Sequence, residues 1–450
     1  MVNQPAELRK NEELVTALSK MVPIFIKLYK ASHGDTSING MPRRMQLSSL
    51  TLRLLFQDAN LAKEISAAFF NDLDIRKFFG ISEKTSANSD EALFGGDCCV
   101  LDNSGSGGTQ QPISTIVNIF LAAIDLCILE KDEFNEDAIA ANLHKMVTDF
   151  KTFVRGTQIE ETHLIGFSGF ITEEGTKIGF GELNAFPLST FQSSYFFGRE
   201  DGIGFVVKEA FCRKKLFVGT SAEMHKFVEK GSLLADIEFF TKMHLLIKNV
   251  RLALVLALSD EQNAFQSFIE GDYLITPTGN LNSFMQRDVV IGRRPAKLQL
   301  NQKSVNQLSI KYLSIVDADL SSIEIAVKRL LSAVCTRDND DDALIDAVMC
   351  WENIIGSESE VTFRICASIA KLLAKDSTER SDIYGKLKNI YRARSSLVHG
   401  NSAYKTNSDI TQQAIFYAIC LLNAILRDNK LLQMTSAKRS EYIMLNMGTN

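Results

Sequence analysis

The sequence predicts an α+β, multidomain protein: a helical N-terminal region, a β-rich middle region and a C-terminal all-α helical bundle. Three observations carry that expectation. A chain of 450 residues exceeds what one ordinary hydrophobic core holds together. Apolar residues recur at three- and four-residue spacing over the first 155 residues and again from about residue 308 onward. Between these stretches, short β-prone runs alternate with glycine-containing turns. The expected boundaries are 1–158, 159–300 (which can form one unit with the N-terminal region) and 308–450.

The composition, 45% hydrophobic and 23% charged, is that of a globular protein and excludes disorder. Net charge is −5, so any nucleic-acid contact must come from a local basic patch. Eight cysteines form no CxxC pair, and several fall within apolar helical patterns, as buried free thiols do in a reducing cytosol. The start of the chain, MVNQPAELRKNEEL, is polar and lacks a signal-peptide core. A cytoplasmic protein without a membrane partner is expected.

Taken in order, 11–31 and 47–79 read as helices. LDNSGSGGTQQP (101–112) is glycine-rich but lacks the Gly-Lys-Ser/Thr ending of a phosphate loop, so it reads as a flexible loop. Helices fit 113–130 and 135–155. The first contains the most apolar run, ISTIVNIFLAAIDLCIL (113–129), which is interrupted by Asp125, is expected to fall short of a membrane span, and reads as buried.

HLIGFSGFITEEGTKIGFGEL (163–183) reads as a hairpin around Glu-Glu-Gly-Thr. GIGFVVKEAFC, KKLFVGTS, RLALVLAL (251–258), YLITP and DVVIG add strand candidates, and 292–307 reads as a linker. Helices are then expected at 319–335, 341–356, 360–375, 382–399 and 409–432. The acidic run RDNDDD (337–342) lacks the spacing and central glycine of a calcium loop and reads as helix-capping acids.

The helix 382–399, DIYGKLKNIYRARSSLVH, holds the strongest functional signal. At about 100° per residue, Ile383, Leu387, Ile390, Leu397 and Val398 share one arc, with Arg394 near its centre. A guanidinium there needs a carboxylate or a bound anion. His399 occupies the last turn and Gly400 stops the helix. On a regular helix Arg394 and His399 lie about 140° apart, so the last turn unwinds, Arg394 reaches around, or the groups meet across a dimer. Arg392, seven residues before His399, shares its face. Between Ile383 and Ser408 stand Lys386, Lys388, Arg392, Arg394, His399 and Lys405 without an acid, a basic stripe suited to phosphates. The other histidines, His33, His144, His163, His225 and His244, have no ligand spacing, so neither a metal nor another cofactor is expected.

YRARSSLVHG (391–400) resembles the C-terminal motif of HEPN domains, an arginine, a polar residue and, after a few positions, a histidine. The Apea-like HEPN group is the nearest in pattern, and DALIDAVMCWENIIGSESEVTFRICASIAKLLA (342–374) is similar to its preceding helices. The likeness covers about 310–432. It implies catalytic Arg394 and His399, with Ser395, Glu352 and Tyr391 in support, and RNA contacts from Arg392, Lys388 and Lys405. Serine at 395 departs from the family's frequent asparagine. Glu352, at the edge of the Leu344/Val348/Trp351/Ile355 stripe, is placed to pair with Arg394.

The resemblance implies a metal-independent endoribonuclease in which the ribose 2′-hydroxyl attacks the adjacent phosphorus. A histidine of ordinary pKa, about 6.5, moves the proton, and an arginine stabilises the phosphorane. It further implies a homodimer through the C-terminal domain, a role as a toxin in antiphage abortive infection, and a phage-derived trigger or regulatory partner read by the N-terminal regions. The alternative is a non-catalytic module for RNA binding or dimerisation.

Overall fold

A computed structural model describes the chain except residues 1–5, 33–42, 90–91, 94–97, 103–106, 132, 161, 169, 173–178, 181–182, 189–201, 208–211, 230–236, 260–267, 279–297, 357–359, 400–407 and 447–450. The described residues are mostly helical, with a small antiparallel sheet. They fall into two compact units: 1–166 with 187–243 and 270–286, and 167–186 with 244–269 and 287–450. The middle third of the sequence is thus divided between the units.

The first unit begins with α1 (Ala6–Ser19), α2 (Met21–Ser32), α3 (Arg43–Gln57), α4 (Ala59–Phe69) and α5 (Leu73–Phe78). The apolar spacing over 11–31 and 47–79 therefore divides into five shorter helices. Strands β1 (Cys98–Asp102) and β2 (Gly107–Gln110) follow, then α6 (Pro112–Lys131) and α7 (Glu136–Val154). LDNSGSGGTQQP is not simply a loop: β1 and β2 pair antiparallel, Cys98 opposite Gln110 and Leu101 opposite Gly107.

Helix α6 is apolar nearly all round, as a fully enclosed helix must be, and α7 packs along it. Phe69, Phe78 and Phe150 meet within about 6 Å centroid to centroid. The carboxylate of Asp72 caps α5 and forms a buried ion pair with Lys151 at 3.3 Å. One expectation is corrected here. A single aspartate lowers mean hydropathy little, so the 20-residue α6 does have the length and composition of a membrane span, although 83% of its apolar window is buried inside the fold.

The middle region carries short strands: β3 (Ile159–Glu160), β4 (Thr162–Ser168), β5 (Phe170–Thr172), β6 (Gly179–Phe180), β7 (Leu183–Leu188), β8 (Gly202–Val207), β9 (Cys212–Arg213) and β10 (Lys215–Gly219). Helices α8 (Ser221–Glu229) and α9 (Ile237–Leu258) come next, then β11 (Phe268–Ile275) and β12 (Leu298–Leu300). Strand β10 completes the three-stranded sheet by pairing with β1. The expected hairpin takes another form: β6 pairs with β7, while β5 pairs in parallel with β12. Its proposed turn, 173–176, lies outside the described residues, as does DVVIG.

RLALVLAL, expected as a strand, is the last part of the 22-residue α9. A continuous apolar run has no period with which to separate a buried strand from a buried helix. Among the described residues this region is mixed rather than β-rich. The expected linker is also corrected. Leu298–Leu300 is a strand, and Asn301 caps a helix by accepting from the Ser304 backbone N–H at 3.0 Å.

The second unit continues with α10 (Gln302–Val316), α11 (Glu324–Leu331), α12 (Asp340–Ile354), α13 (Val361–Leu373), α14 (Ser377–Val398), α15 (Ser408–Arg427), α16 (Asn429–Leu432) and α17 (Ser436–Asn446). α12 packs on α11 and α15, and α13 packs on α14 and α17. The Leu344, Val348, Trp351 and Ile355 stripe of α12 is wholly buried, as its spacing predicts. Asn339 caps α12 and Asp340, Asp341 and Asp342 fill its first turn, so the acidic run serves the helix N-terminus.

No disulfide joins the cysteines whose side chains are described. Cys98, Cys99, Cys127, Cys335, Cys350 and Cys366 are buried and Cys420 is half-buried. Burial pushes the Cys366 thiol up to about 12.

Candidate functional site

Helix α14 positions the residues singled out by the sequence. Asp376 caps it, its carboxylate accepting from the Glu379 backbone N–H at 2.8 Å. Ile383, Leu387 and Ile390, at spacings of four and three, are buried. Tyr391 and Ala393 extend the buried face. The sequence arc is wrong at its end: Leu397 is only half-buried and Val398 is 51% exposed. The core face therefore stops one turn before the helix does.

Arg394 lies at that margin, with 22% of its side chain exposed. Its Nη2 donates to Oε2 of Glu352 on α12 at 3.3 Å. The Tyr391 hydroxyl donates to the other oxygen, Oε1, at 2.6 Å. One carboxylate thus bridges the guanidinium and the phenol, and the guanidinium carbon lies 5.9 Å from the Tyr391 ring centre. Burial, and then the Glu352 carboxylate, push the Tyr391 phenol up, so it stays protonated and acts as a donor. The Nε of Arg394 is buried and has no hydrogen-bond partner among the described residues.

His399 is not part of this cluster. Helix α14 stays regular to its end, and the His399 backbone N–H donates to the Ser395 carbonyl at 3.1 Å. The last turn does not unwind. His399 is the C-cap that follows Val398, and it is exposed; the phase of a regular helix sets that position about 140° around from Arg394. Ser395 is half-buried between them in sequence, and Arg392 is exposed.

The basic stripe is less uniform than its sequence implies. Lys386 pairs with Asp382 one turn earlier at 2.9 Å. Lys388 is half-buried and close enough to Cys366 on α13 to lower that thiol's pKa, opposing burial. Gly400 and Lys405 lie outside the described residues. Among the described residues, no three His, Cys, Asp or Glu side chains converge as metal ligands would.

Sequence reasoning missed two charged centres beside this site. Asp346, 1% exposed, accepts from Arg337 Nε at 2.6 Å, Arg329 Nη1 at 2.7 Å and Ser332 Oγ at 2.8 Å. The signal was an aspartate inside the apolar run ALIDAVMCW. Arg439 is fully buried and donates to the carbonyls of Ile354 and Met434 at 2.7 Å and of Leu431 at 2.8 Å. Nothing in its local sequence, SAKRSEY, separates it from a surface arginine.

Chemically, the site presents a half-buried guanidinium with spare N–H groups and, one turn further, a solvent-accessible imidazole. Comparison with protein-family models, curated proteins and solved structures finds no match for this chain.

Proposed function

We propose that the chain is a cytoplasmic, metal-independent endoribonuclease of the HEPN type that acts as a toxin in antiphage defence. The observation that carries this reading is the Glu352 carboxylate holding Arg394 and Tyr391 at the margin of α14, one turn before an exposed histidine. The ribose 2′-oxygen bonds to phosphorus and the bond to the 5′-oxygen breaks, leaving a 2′,3′-cyclic phosphate and a 5′-hydroxyl. His399 takes or supplies the proton, and Arg394 neutralises charge on the phosphorane. Arg392, exposed on the same helix, contacts the RNA backbone with Lys388 and Lys405.

Because Arg394 and His399 face apart on one regular helix, the reading requires a homodimer that brings the Arg394 of one copy to the His399 of the other. The N-terminal regions sense a phage-derived trigger or restrain the nuclease. The test is to incubate purified protein with total RNA in a chelator and to analyse product ends. Cyclic phosphate and 5′-hydroxyl ends are expected. Arg394→Ala and His399→Ala should each reduce cleavage about a hundredfold or more.

A second reading, a non-catalytic RNA-binding or dimerisation module, draws on the same ion pair. Glu352 spends part of the Arg394 charge within one chain. RNA binding without cleavage would select it.

A further inference from the structure

The first turns of α14, together with α13 and α17, border an open cleft of about 390 Å³, within the usual size of a small-molecule site. Phe363, Ala367 and Lys371 of α13, Arg380 and Tyr384 of α14, and Met444 of α17 line it. Its wall is apolar and aromatic: the Phe363 and Tyr384 rings meet edge to face at 6.3 Å, and Phe363 is 50% exposed.

The cleft also has a charge. Lys371 and Arg380 line it and no carboxylate does. Lys371 donates to the Met444 carbonyl at 2.7 Å, which fixes the ammonium at the wall between α13 and α17. The Nε of Arg380 is buried without a hydrogen-bond partner among the described residues. Two cations against an aromatic and aliphatic surface complement an anion that carries its own apolar body.

We propose that this cleft binds a small amphipathic anion, an acyl chain or aromatic ring bearing a carboxylate or phosphate. The apolar body lies against Ala367, Phe363 and Tyr384, and the anionic group meets Arg380 and Lys371. The proposal is independent of RNA cleavage.

The test titrates the full chain with anilinonaphthalene sulfonate, an aromatic anion that fluoresces when bound, and then competes it with octanoate or adenosine monophosphate. Saturable binding is expected, and displacement by octanoate assigns the site to acyl anions, by the nucleotide to aromatic phosphates. Arg380→Gln should weaken binding about tenfold, and Ala367→Trp, at a half-exposed position, should abolish it by filling the cleft. Circular dichroism confirms that both variants are folded; if Ala367→Trp is not, Ala367→Leu takes its place. No saturable binding, or unchanged affinity in the folded variants, overturns the proposal.

Discussion

Tyr391 supplies Glu352 with a proton donor that Arg394 alone does not, and so leaves the guanidinium held at one edge only. Tyr391→Phe should free one carboxylate oxygen to compete for Arg394, lowering the cleavage rate about tenfold while RNA affinity stays within about twofold. Single-turnover cleavage and filter binding separate the two. Arg439 presents a different residue-scale case. Burial pulls its pKa down to about 10, and carbonyl groups rather than a carboxylate satisfy it. Arg439→Met would leave those carbonyls without donors, at a cost of about 3 kcal/mol, measured as a lowered midpoint in urea. The pairing of Glu352 with Arg394 was legible in the sequence because a guanidinium within an apolar arc needs a carboxylate, and Glu352 lies at the edge of an apolar stripe on another helix. The burial of Arg439 was not, because backbone carbonyls and the hydroxyl of the distant Ser322 satisfy it and leave no charged partner to read.

At the scale of elements, the π-helical turn Ser332–Thr336 ends α11 and brings Ser332 toward Asp346, with Arg337 just beyond it. Burial raises the pKa of Asp346, but hydrogen bonds from Arg337, Ser332 and Arg329 together outweigh it and hold the carboxyl below the ordinary carboxylate range. A folded-state pKa below the unfolded value gives stability that is present above about pH 4 and lost as pH falls through the folded value. The urea midpoint should therefore drop below about pH 4, and Asp346→Asn should both lower it at neutral pH and flatten that acid limb. The strand expected at 251–258 and the helix found there show where element-level reading fails. Length decides between the two: the helix begins upstream at Ile237, through a stretch that mixes apolar and charged residues, and 251–258 is the end of its 22 residues. The start of α12 was legible because the capping run 337–342 precedes its apolar stripe, whereas α14 begins at Ser377, before the expected 382, because Asp376 caps it there.

At the scale of the whole molecule, the separation of Arg394 from His399 becomes a prediction about assembly. If one site takes its arginine from one copy and its histidine from the other, mixing Arg394→Ala and His399→Ala protein rebuilds one intact site in each mixed dimer. About a quarter of the unaltered activity should return, half the dimers being mixed and each holding one of two sites. Titrating one variant into the other and following RNA cleavage checks this. No recovery in dimers shown to exchange would place both groups in one chain. The sequence anticipated three regions, the middle one able to join the first, and the chain forms two units that divide the middle residues between them. Local pattern marks where elements begin, but which neighbours they bury against depends on contacts far apart in sequence.

The sequence by itself determined the buried face of α14 through Ile390 and the need of Arg394 for a counter-ion, because each follows from periodicity and the cost of burying a charge. Only the tertiary structure decided that the Glu352 carboxylate also accepts from Tyr391, that α14 stays helical through Val398, and that 251–258 is helical. Those outcomes depend on which surfaces face one another once distant segments pack, and a linear pattern does not contain that geometry.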